Sequence, residues 1–467
     1  MPMFPHRLRH RLARLAAAAS VCLLAGACEN RQPPAPAPAP GTAETITGRE
    51  RIGWEQPAGD SAELGTFRYA IYVDGTRFEL TETACSPSRG STGFPCSARL
   101  PAMSPGSHVL ELAAFVLEGS GVVESAKSAP LRVTVVGATA PAAADPLQDG
   151  DAVVTADGAR LTARLVAEDL HEPSDIAVAP DGRLFIAERG GRVRVQSGGG
   201  LTTGLVLPEV APPGGLFGIT LAPDFARTRT VFLAHTAAAD GSMTLRIARY
   251  REFEGHLLDR LVLLPDIPVG PEPAAALRFG PDGKLYVAVG DGGDADAAAR
   301  LADFTGKVLR LEPDGRTPRD QPAASPVYWH PVRAPRALAW TAGGGTMWMV
   351  EEAGGMERIR ALRGPAEDAS RGGQRAAYVL PRPLGAAAAA AYGSTALPHF
   401  EGDLFIAARA AGYLLRVRFD PEDPTRAVSS ERLLENRLGP VHAVAVGPDG
   451  ALYVCAGERL WKLAAAR

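Results

Sequence analysis

The sequence predicts an all-β protein, a six-bladed β-propeller preceded by a small N-terminal β-sandwich. Three observations carry the propeller. One phrase recurs six times between Asp175 and Leu463: an apolar run, a Pro-Asp-Gly-like turn, a short alternating strand, a Gly break and a second strand. Its clearest copies are Ala179-Pro180-Asp181-Gly182-Arg183-Leu184-Phe185-Ile186, Gly280-Pro281-Asp282-Gly283-Lys284-Leu285-Tyr286-Val287 and Gly447-Pro448-Asp449-Gly450-Ala451-Leu452-Tyr453-Val454, with looser copies near Ala222-Pro223-Asp224, Trp340-Thr341-Ala342 and Phe400-Glu401-Gly402-Asp403. Asp-Gly supplies the positive backbone angle of a tight turn, and alternating Leu/Phe/Ile or Leu/Tyr/Val turns one strand face inward. The starts lie roughly 40–60 residues apart, the spacing of propeller blades, so the propeller takes residues 161–467.

The last repeat offers only three strands, Val441–Val446, Leu452–Cys455 and Leu460–Leu463. Leu161–Val166 alternates apolar and polar residues and has no blade of its own, so it is expected to pair with the last blade and close the ring. Residues 48–137 have a different texture. Strand-like runs at Phe67–Val73, Arg77–Leu80, His108–Phe115 and Leu131–Val135, with Asp74-Gly75 as a hairpin turn, predict the sandwich. The order of Trp54, Tyr69-Ala70-Ile71-Tyr72-Val73-Asp74-Gly75, Leu100-Pro101 and Ser128-Ala129-Pro130 resembles a fibronectin type III domain. That resemblance implies a spacer or docking surface, with Trp54 as a plug between sheets. Residues 138–160, rich in Ala, Asp and Pro, read as a linker.

Arg7, Arg9, Arg11 and Arg14 precede the apolar stretch Leu15–Ala27, which is too short to span a bilayer. It ends Leu24-Ala25-Gly26-Ala27-Cys28. Small residues before a cysteine resemble the bacterial lipobox, which implies that residues 1–27 are a signal peptide and Cys28 the lipidated first residue of the mature chain. Residues 28–47, with their Pro-Ala run, are a semi-rigid spacer. The expected location is the bacterial cell envelope, periplasm-facing or at the cell surface, held to a membrane by the lipid. Cysteine use agrees with an oxidising compartment: Cys85 and Cys96 flank a Pro/Ser/Gly loop that a disulfide would staple, and Cys455 reads as a core thiol. A formal charge of −3 in 467 residues gives no pull towards nucleic acid. A monomer is expected.

The blades also carry specific motifs. Leu170–Leu184 followed by Ala187-Glu188-Arg189-Gly190-Gly191, Gly215–Phe225, and Leu277–Asp291 continuing to Gly306–Leu311 are similar, in this order, to the PQQ-dependent glucose/sorbosone dehydrogenases. The resemblance spans about residues 161–465. It implies pyrroloquinoline quinone (PQQ) and calcium as cofactors and oxidation of an aldose or related alcohol. In that family a base begins a His-x-Gly-Gly-Arg segment, which here reads Glu272-Pro273-Ala274-Ala275-Ala276, and the aspartate that orients the base survives as Asp291. The quinone-binding Arg-Asn-Pro-Gln-Gly-Leu reads Arg333-Ala334-Pro335-Arg336-Ala337-Leu338, leaving Arg333 and Arg336 as candidate cofactor ligands. The later Gly-Arg-x-Arg-Asp-Val reads Gly439-Pro440-Val441-His442-Ala443-Val444 and has lost both arginines. The calcium loop reads Glu351-Glu352-Ala353-Gly354, where the backbone carbonyls of Ala353 and Gly354 remain as ligands.

Two functional readings follow. In the first, the protein is an envelope lipoprotein whose catalytic and PQQ-binding residues are largely replaced, and whose propeller face binds a sugar-like small molecule or a protein. In the second it is an active quinoprotein sugar dehydrogenase, supported by the resemblance, Arg333 and Asp291; Glu272 reads either as a solvated loop charge or, with Asp291, as a catalytic carboxylate pair or a base in other chemistry. Too few cations at the aligned positions to neutralise a tricarboxylate predicts weak PQQ binding. The run Ala386–Ala391 reads as a padded loop.

Overall fold

The computed structural model describes residues 44–466, apart from 48–49, 81–82, 102, 104–105, 119–120, 137–144, 156, 240–241, 322–323, 342, 365–375 and 381–383. Cys28 and the segments around it lie outside these residues. The chain forms two compact units, residues 1–142 and 143–467.

The first unit is a pair of sheets. One runs Glu44–Ile46, Leu131–Val135, Gly106–Glu118, Arg68–Val73, Thr76–Leu80, with Gly121–Glu124 added beside Gly106–Glu118; the other holds Arg51–Gln56, Phe94–Arg99 and Ala84–Cys85. Asp74 and Gly75 turn the hairpin at φ 50° and 82°, as a two-residue turn of that hand requires. Trp54 packs in the core, its ring 4.7 Å from that of Tyr69. Cys85 and Cys96 are disulfide-bonded, with Cα atoms 4.0 Å apart across two paired strands.

The second unit holds six antiparallel sheets, one per blade. Their inner strands are Pro173–Val178, Leu216–Leu221, Ala275–Phe279, Ala334–Trp340, Ala386–Ala391 and Val441–Val446, in blades I to VI. Each inner strand touches the next, and that of blade VI touches that of blade I, which closes the ring. The repeated Pro-Asp-Gly turns are built alike. In blades I, III and VI the glycine N–H donates to the residue three before it (Gly182 to Ala179, Gly283 to Gly280, Gly450 to Gly447), at φ 84°, 71° and 73°. The aspartate carboxylate then accepts the N–H two residues on, from Arg183, Lys284 and Ala451.

Blade VI supplies three strands of its own, and Arg160–Ala167 pairs antiparallel with Arg459–Ala465 as the fourth, from Leu161 opposite Ala465 to Ala167 opposite Leu460. The alternation is the cause: Leu161 and Ala163 are fully buried in the blade core while Arg160 and Arg164 are exposed. The described part of the expected linker is no linker. Ala152–Val154 adds a fifth strand to this blade, and Leu147 and Val153 bury in its core. Ala and Asp richness hid a short apolar alternation. The alanine run is likewise no loop. Ala386–Ala391 is the inner strand of blade V, where strands crowd the axis and small side chains fit.

Neighbouring blades are clamped by charge. Buried Asp175 of blade I accepts the Ile219 N–H of blade II at 2.9 Å and both Arg278 guanidinium nitrogens of blade III at 2.5 and 2.6 Å. Three blades therefore meet on one carboxylate. Replacing it strips the Ile219 N–H of its acceptor and Arg278 of its counter-charge, leaving the guanidinium only backbone carbonyls such as Leu277 O at 2.8 Å. Asp175→Ala is expected to destabilise the propeller by about 3 kcal/mol in urea unfolding. Cys85→Ser is expected to lower the stability of the first unit by about 3 kcal/mol, from the loop entropy regained, and to leave the propeller transition in place.

Candidate functional site

The ring leaves a cavity of about 230 Å³ at one end of its axis, walled by residues from all six blades. A single backbone device builds most of it. In blades I, II, IV, V and VI the pairing of inner and second strands slips by one residue near the start of the inner strand. The unpaired residues are Ser174, Phe217, Arg336, Ala387 and His442. Every one of them lines the cavity. A bulge breaks the alternation locally and re-aims one side chain, here towards the axis. Blade III is in continuous register from Ala275 opposite Val289, and contributes only Ala274 and Ala275 to the wall.

Two more side chains enter from the ends of the second strands. Arg189 follows Leu184–Glu188 and Arg409 follows Leu404–Ala408, at equivalent blade positions. The Arg189 N–H donates to Glu172 O and the Arg409 N–H to Gly385 O, and Thr236, Gly290 and Gly457 make the same bond in blades II, III and VI. Arg189 lies over the ring of Phe217, 4.7 Å from its centroid. Gly215 lets it pass, since a Cβ there would stand 2.9 Å from Arg189 Nε.

Arg189, Arg336 and Arg409 therefore share one cavity with a single carboxylate, Glu172, and with His442. Their mutual influence is electrostatic. Burial, then the guanidiniums of Arg409 and Arg336, lower the Arg189 pKa, and Glu172 opposes them. Burial, then Arg409, push His442 below its ordinary 6.5 while Glu172 pulls it up, so the imidazole is neutral at pH 7. Arg336 has Glu352 as a partner at 3.0 Å. Among the described residues Arg189 and Arg409 have no carboxylate partner. The arrangement can hold anionic groups against three cations and offers two proton-accepting side chains.

The candidate residues from the sequence divide. Arg336 lines the cavity. Glu272 is exposed, lies outside the cavity wall and makes no side-chain hydrogen bond or ion pair among the described residues. Asp291 is buried, and its carboxylate accepts Arg333 Nη1 at 2.7 Å and the Gly293 N–H at 3.0 Å. The expected Glu272–Asp291 pair is thus not assembled: Arg333 satisfies Asp291, and neither Asp291 nor Arg333 walls the axial cavity. Asp291 and Asp294 border a separate recess of about 450 Å³ beside Pro265–Gly270.

Ala353 and Gly354 fall at a tight hairpin, with Gly354 and Gly355 at φ 59° and 72° between Ala353 and its partner Met356. The neighbouring carboxylates are engaged, Glu351 by Arg358 and Arg360 and Glu352 by Arg336. Among the described residues no group of three His, Cys, Asp or Glu side chains could hold a metal ion.

Sequence reasoning missed Arg189, Arg409 and Glu172. A signal for the two arginines was present: Leu184-Phe185-Ile186-Ala187-Glu188-Arg189 and Leu404-Phe405-Ile406-Ala407-Ala408-Arg409 are one phrase, ending in the residue that reaches the axis. The expectation of weak PQQ binding counted only Arg333 and Arg336; Arg189 and Arg409 add two cations to the axial cavity.

A propeller with an axial ligand cavity fed by every blade defines the class, and comparison with known proteins defines the family. Residues 170–358 and 360–463 match the description Glucose / Sorbosone dehydrogenase. The chain belongs to this family. It is 26% identical over 340 residues to the aldose sugar dehydrogenase YliI of Escherichia coli (strain K12), covering 64% of this chain and 91% of that one. It is 26% identical over 220 residues to quinoprotein glucose dehydrogenase B of Acinetobacter calcoaceticus, covering 39% of this chain and 46% of the relative. The solved PQQ-bound form of aldose sugar dehydrogenase from Streptomyces coelicolor superposes with a TM-score of 0.57 at 24% identity, over 66% of this chain and 99% of that one.

The charges around His442 give a pH prediction. A depressed folded-state pKa means that the unfolded chain binds the proton more readily. The imidazole then contributes stability present above pH 6.5 and lost as pH falls through the folded value. By NMR titration His442 is expected to titrate below 6.5. Arg409→Ala should raise its midpoint and Glu172→Gln should lower it further.

Proposed function

We propose that the propeller binds a small polycarboxylate in its axial cavity, on a protein exported to the bacterial envelope and held there by a lipid at Cys28. The convergence of Arg189, Arg336 and Arg409 on one cavity carries this reading. Glu352 pairs with Arg336, but Arg189 and Arg409 have no carboxylate partner among the described residues, and an anion between the guanidiniums removes their mutual repulsion. The sandwich unit is a spacer or docking module in this scheme.

PQQ itself carries three carboxylates, and the cavity fits them in charge: Arg189, Arg336 and Arg409 are the residues that would hold it. Bound there, the quinone would supply a hydride acceptor. Proton acceptance from a sugar hydroxyl is less well provided. Glu272, at the position of the family's base, is outside the cavity, and Asp291 is held by Arg333. Only Glu172 and His442 offer a proton-accepting atom in the wall. Family membership and the cavity's charge favour PQQ-dependent sugar oxidation as the second reading.

Calorimetric titration of the mature chain with PQQ is expected to show saturable binding near the micromolar range, lost at least tenfold in Arg189→Ala or Arg409→Ala, with no dye reduction on aldoses. Each lost charge-assisted contact is worth about 1.5–3 kcal/mol. Catalytic dye reduction with glucose or another aldose would replace the binding reading with the dehydrogenase reading. Separately, Cys28→Ala is expected to move the protein from the membrane fraction to the soluble fraction. Retention of the variant in the membrane would overturn the lipid anchor.

A further inference from the structure

Of the seven large apolar side chains exposed in the second unit among the described residues, four fall between Phe253 and Val262, so they form a cluster and not a scatter. They belong to the outer hairpin of blade II, made of Ser242–Phe253 and the edge strand His256–Val262. Ala248, Tyr250 and Glu252 are buried, so Arg249, Arg251 and Phe253 take the opposite face of their strand. The register carries that face across the pair: Phe253 stands opposite His256, Arg251 opposite Leu258, and Arg249 opposite Leu261. A bulge leaves Asp259 and Arg260 opposite Tyr250, on the other face. Phe253, Leu258 and Leu261 are 62%, 50% and 45% exposed. Phe253 and Leu258 are diagonal neighbours across the pair, within reach of one another at about 7–8 Å.

Water solvates the arginines of this face without loss, but not three large apolar side chains, and it is these that call for a partner. The arginines set the sign of that partner. On the other face the hairpin's arginines are paired, Arg246 with Asp266 and Arg260 with Glu209. On this face Arg249 and Arg251 form no ion pair among the described residues, and Glu254 at the turn is the one acidic residue beside them. A partner that adds a strand is disfavoured, because the bulge at Asp259, with φ 52°, breaks the free edge. What remains is contact with the face itself, by something apolar within and negative at its surface. We propose that this hairpin docks the propeller on an anionic lipid bilayer, with Phe253, Leu258 and Leu261 at the interface and Arg249 and Arg251 on headgroup phosphates. The docking edge lies away from the axial cavity. Thr236, near the end of the second strand of blade II, bonds Gly215 beside Arg189, whereas Phe253 follows the residue paired with Thr230 at the other end of that strand.

This goes beyond the cavity reading and does not use it, and the test does not depend on the lipid at Cys28. The mature chain, made without the acyl group, is floated with vesicles of phosphatidylcholine alone or mixed with phosphatidylglycerol. Binding is expected on the mixed vesicles, about tenfold weaker on phosphatidylcholine alone, and weakened by salt. Phe253→Ser with Leu258→Ser should reduce binding to the mixed vesicles at least about tenfold. Arg251→Glu should reduce it about fivefold or more and leave the weak phosphatidylcholine binding in place. These positions are exposed, so an unchanged urea transition is expected and shows that the variants fold. Absence of vesicle binding, equal binding to both kinds of vesicle, or binding that survives the double substitution would overturn the proposal. So would a dimer in sedimentation that the double substitution dissolves, since it would assign the same patch to a second copy of the chain.

Discussion

The axial cavity depends on the pairing of Arg160–Ala167 with Arg459–Ala465. No blade contributes more than four residues to the cavity wall, so the site exists only while six inner strands stay in a closed ring. A ring of separate sheets has one seam, between the first blade and the last. Here the seam lies inside a sheet, because a strand from before blade I completes blade VI. Opening the ring then costs a ladder of backbone hydrogen bonds and the burial of Leu161 and Ala163, instead of the contact between two blade faces. Asp157, three residues before the strand Arg160–Ala167 begins, reinforces the seam by accepting the Arg416 and Arg418 guanidiniums of blade V at 2.9 and 2.7 Å.

Within that ring, the bulges separate the two duties of each inner strand. Most of its residues pack against neighbouring blades, and one slipped residue faces the axis. The packing residues are constrained by volume, whereas the slipped residue is free to vary in chemistry. Serine, phenylalanine, arginine, alanine and histidine occupy that position in five blades, on the same backbone. Such a scaffold allows the ligand preference to change without disturbing the core. Blade III, with no slip, contributes Ala274 and Ala275 to the wall, and Glu272 two residues before them stays outside it.

Charge is distributed in two ways. In the blade walls it is paired and largely buried: Asp175 of blade I with Arg278 of blade III, Glu351 with Arg358 and Arg360 inside blade IV, and Asp403 with Arg416 inside blade V. These carboxylates are consumed by structure. At the axis the balance is reversed, with three arginines against Glu172. The same residue types thus hold the blades together in one place and remain open to a ligand in the other. Arg189 and Arg409 differ from the clamping arginines in having no carboxylate partner among the described residues, whereas Arg336 keeps Glu352.

Blade number, the Asp-Gly turns and the closing strand were legible in the sequence because they rest on local rules. A positive φ needs glycine, and a half-buried strand needs alternation, as Leu161 and Ala163 against Arg160 and Arg164 show. Arg336 was also visible, through its place in a family motif. The rest of the site was not. A bulge shifts register by one residue and leaves no periodic trace, so Ser174, Phe217, Ala387 and His442 read as ordinary strand residues. Glu272 and Asp291 stand close to motif positions in the chain, yet only the packed structure shows one in solvent and the other held by Arg333. Arg189 and Arg409 lie 220 residues apart (409 less 189) and meet because blades I and V both end on the axis. The sequence by itself determined the ring, since each blade is specified by local hydrophobic period and turn chemistry. Only the tertiary structure decided the site, since a cavity on the axis collects one to four residues from each blade and no local pattern records which ones converge.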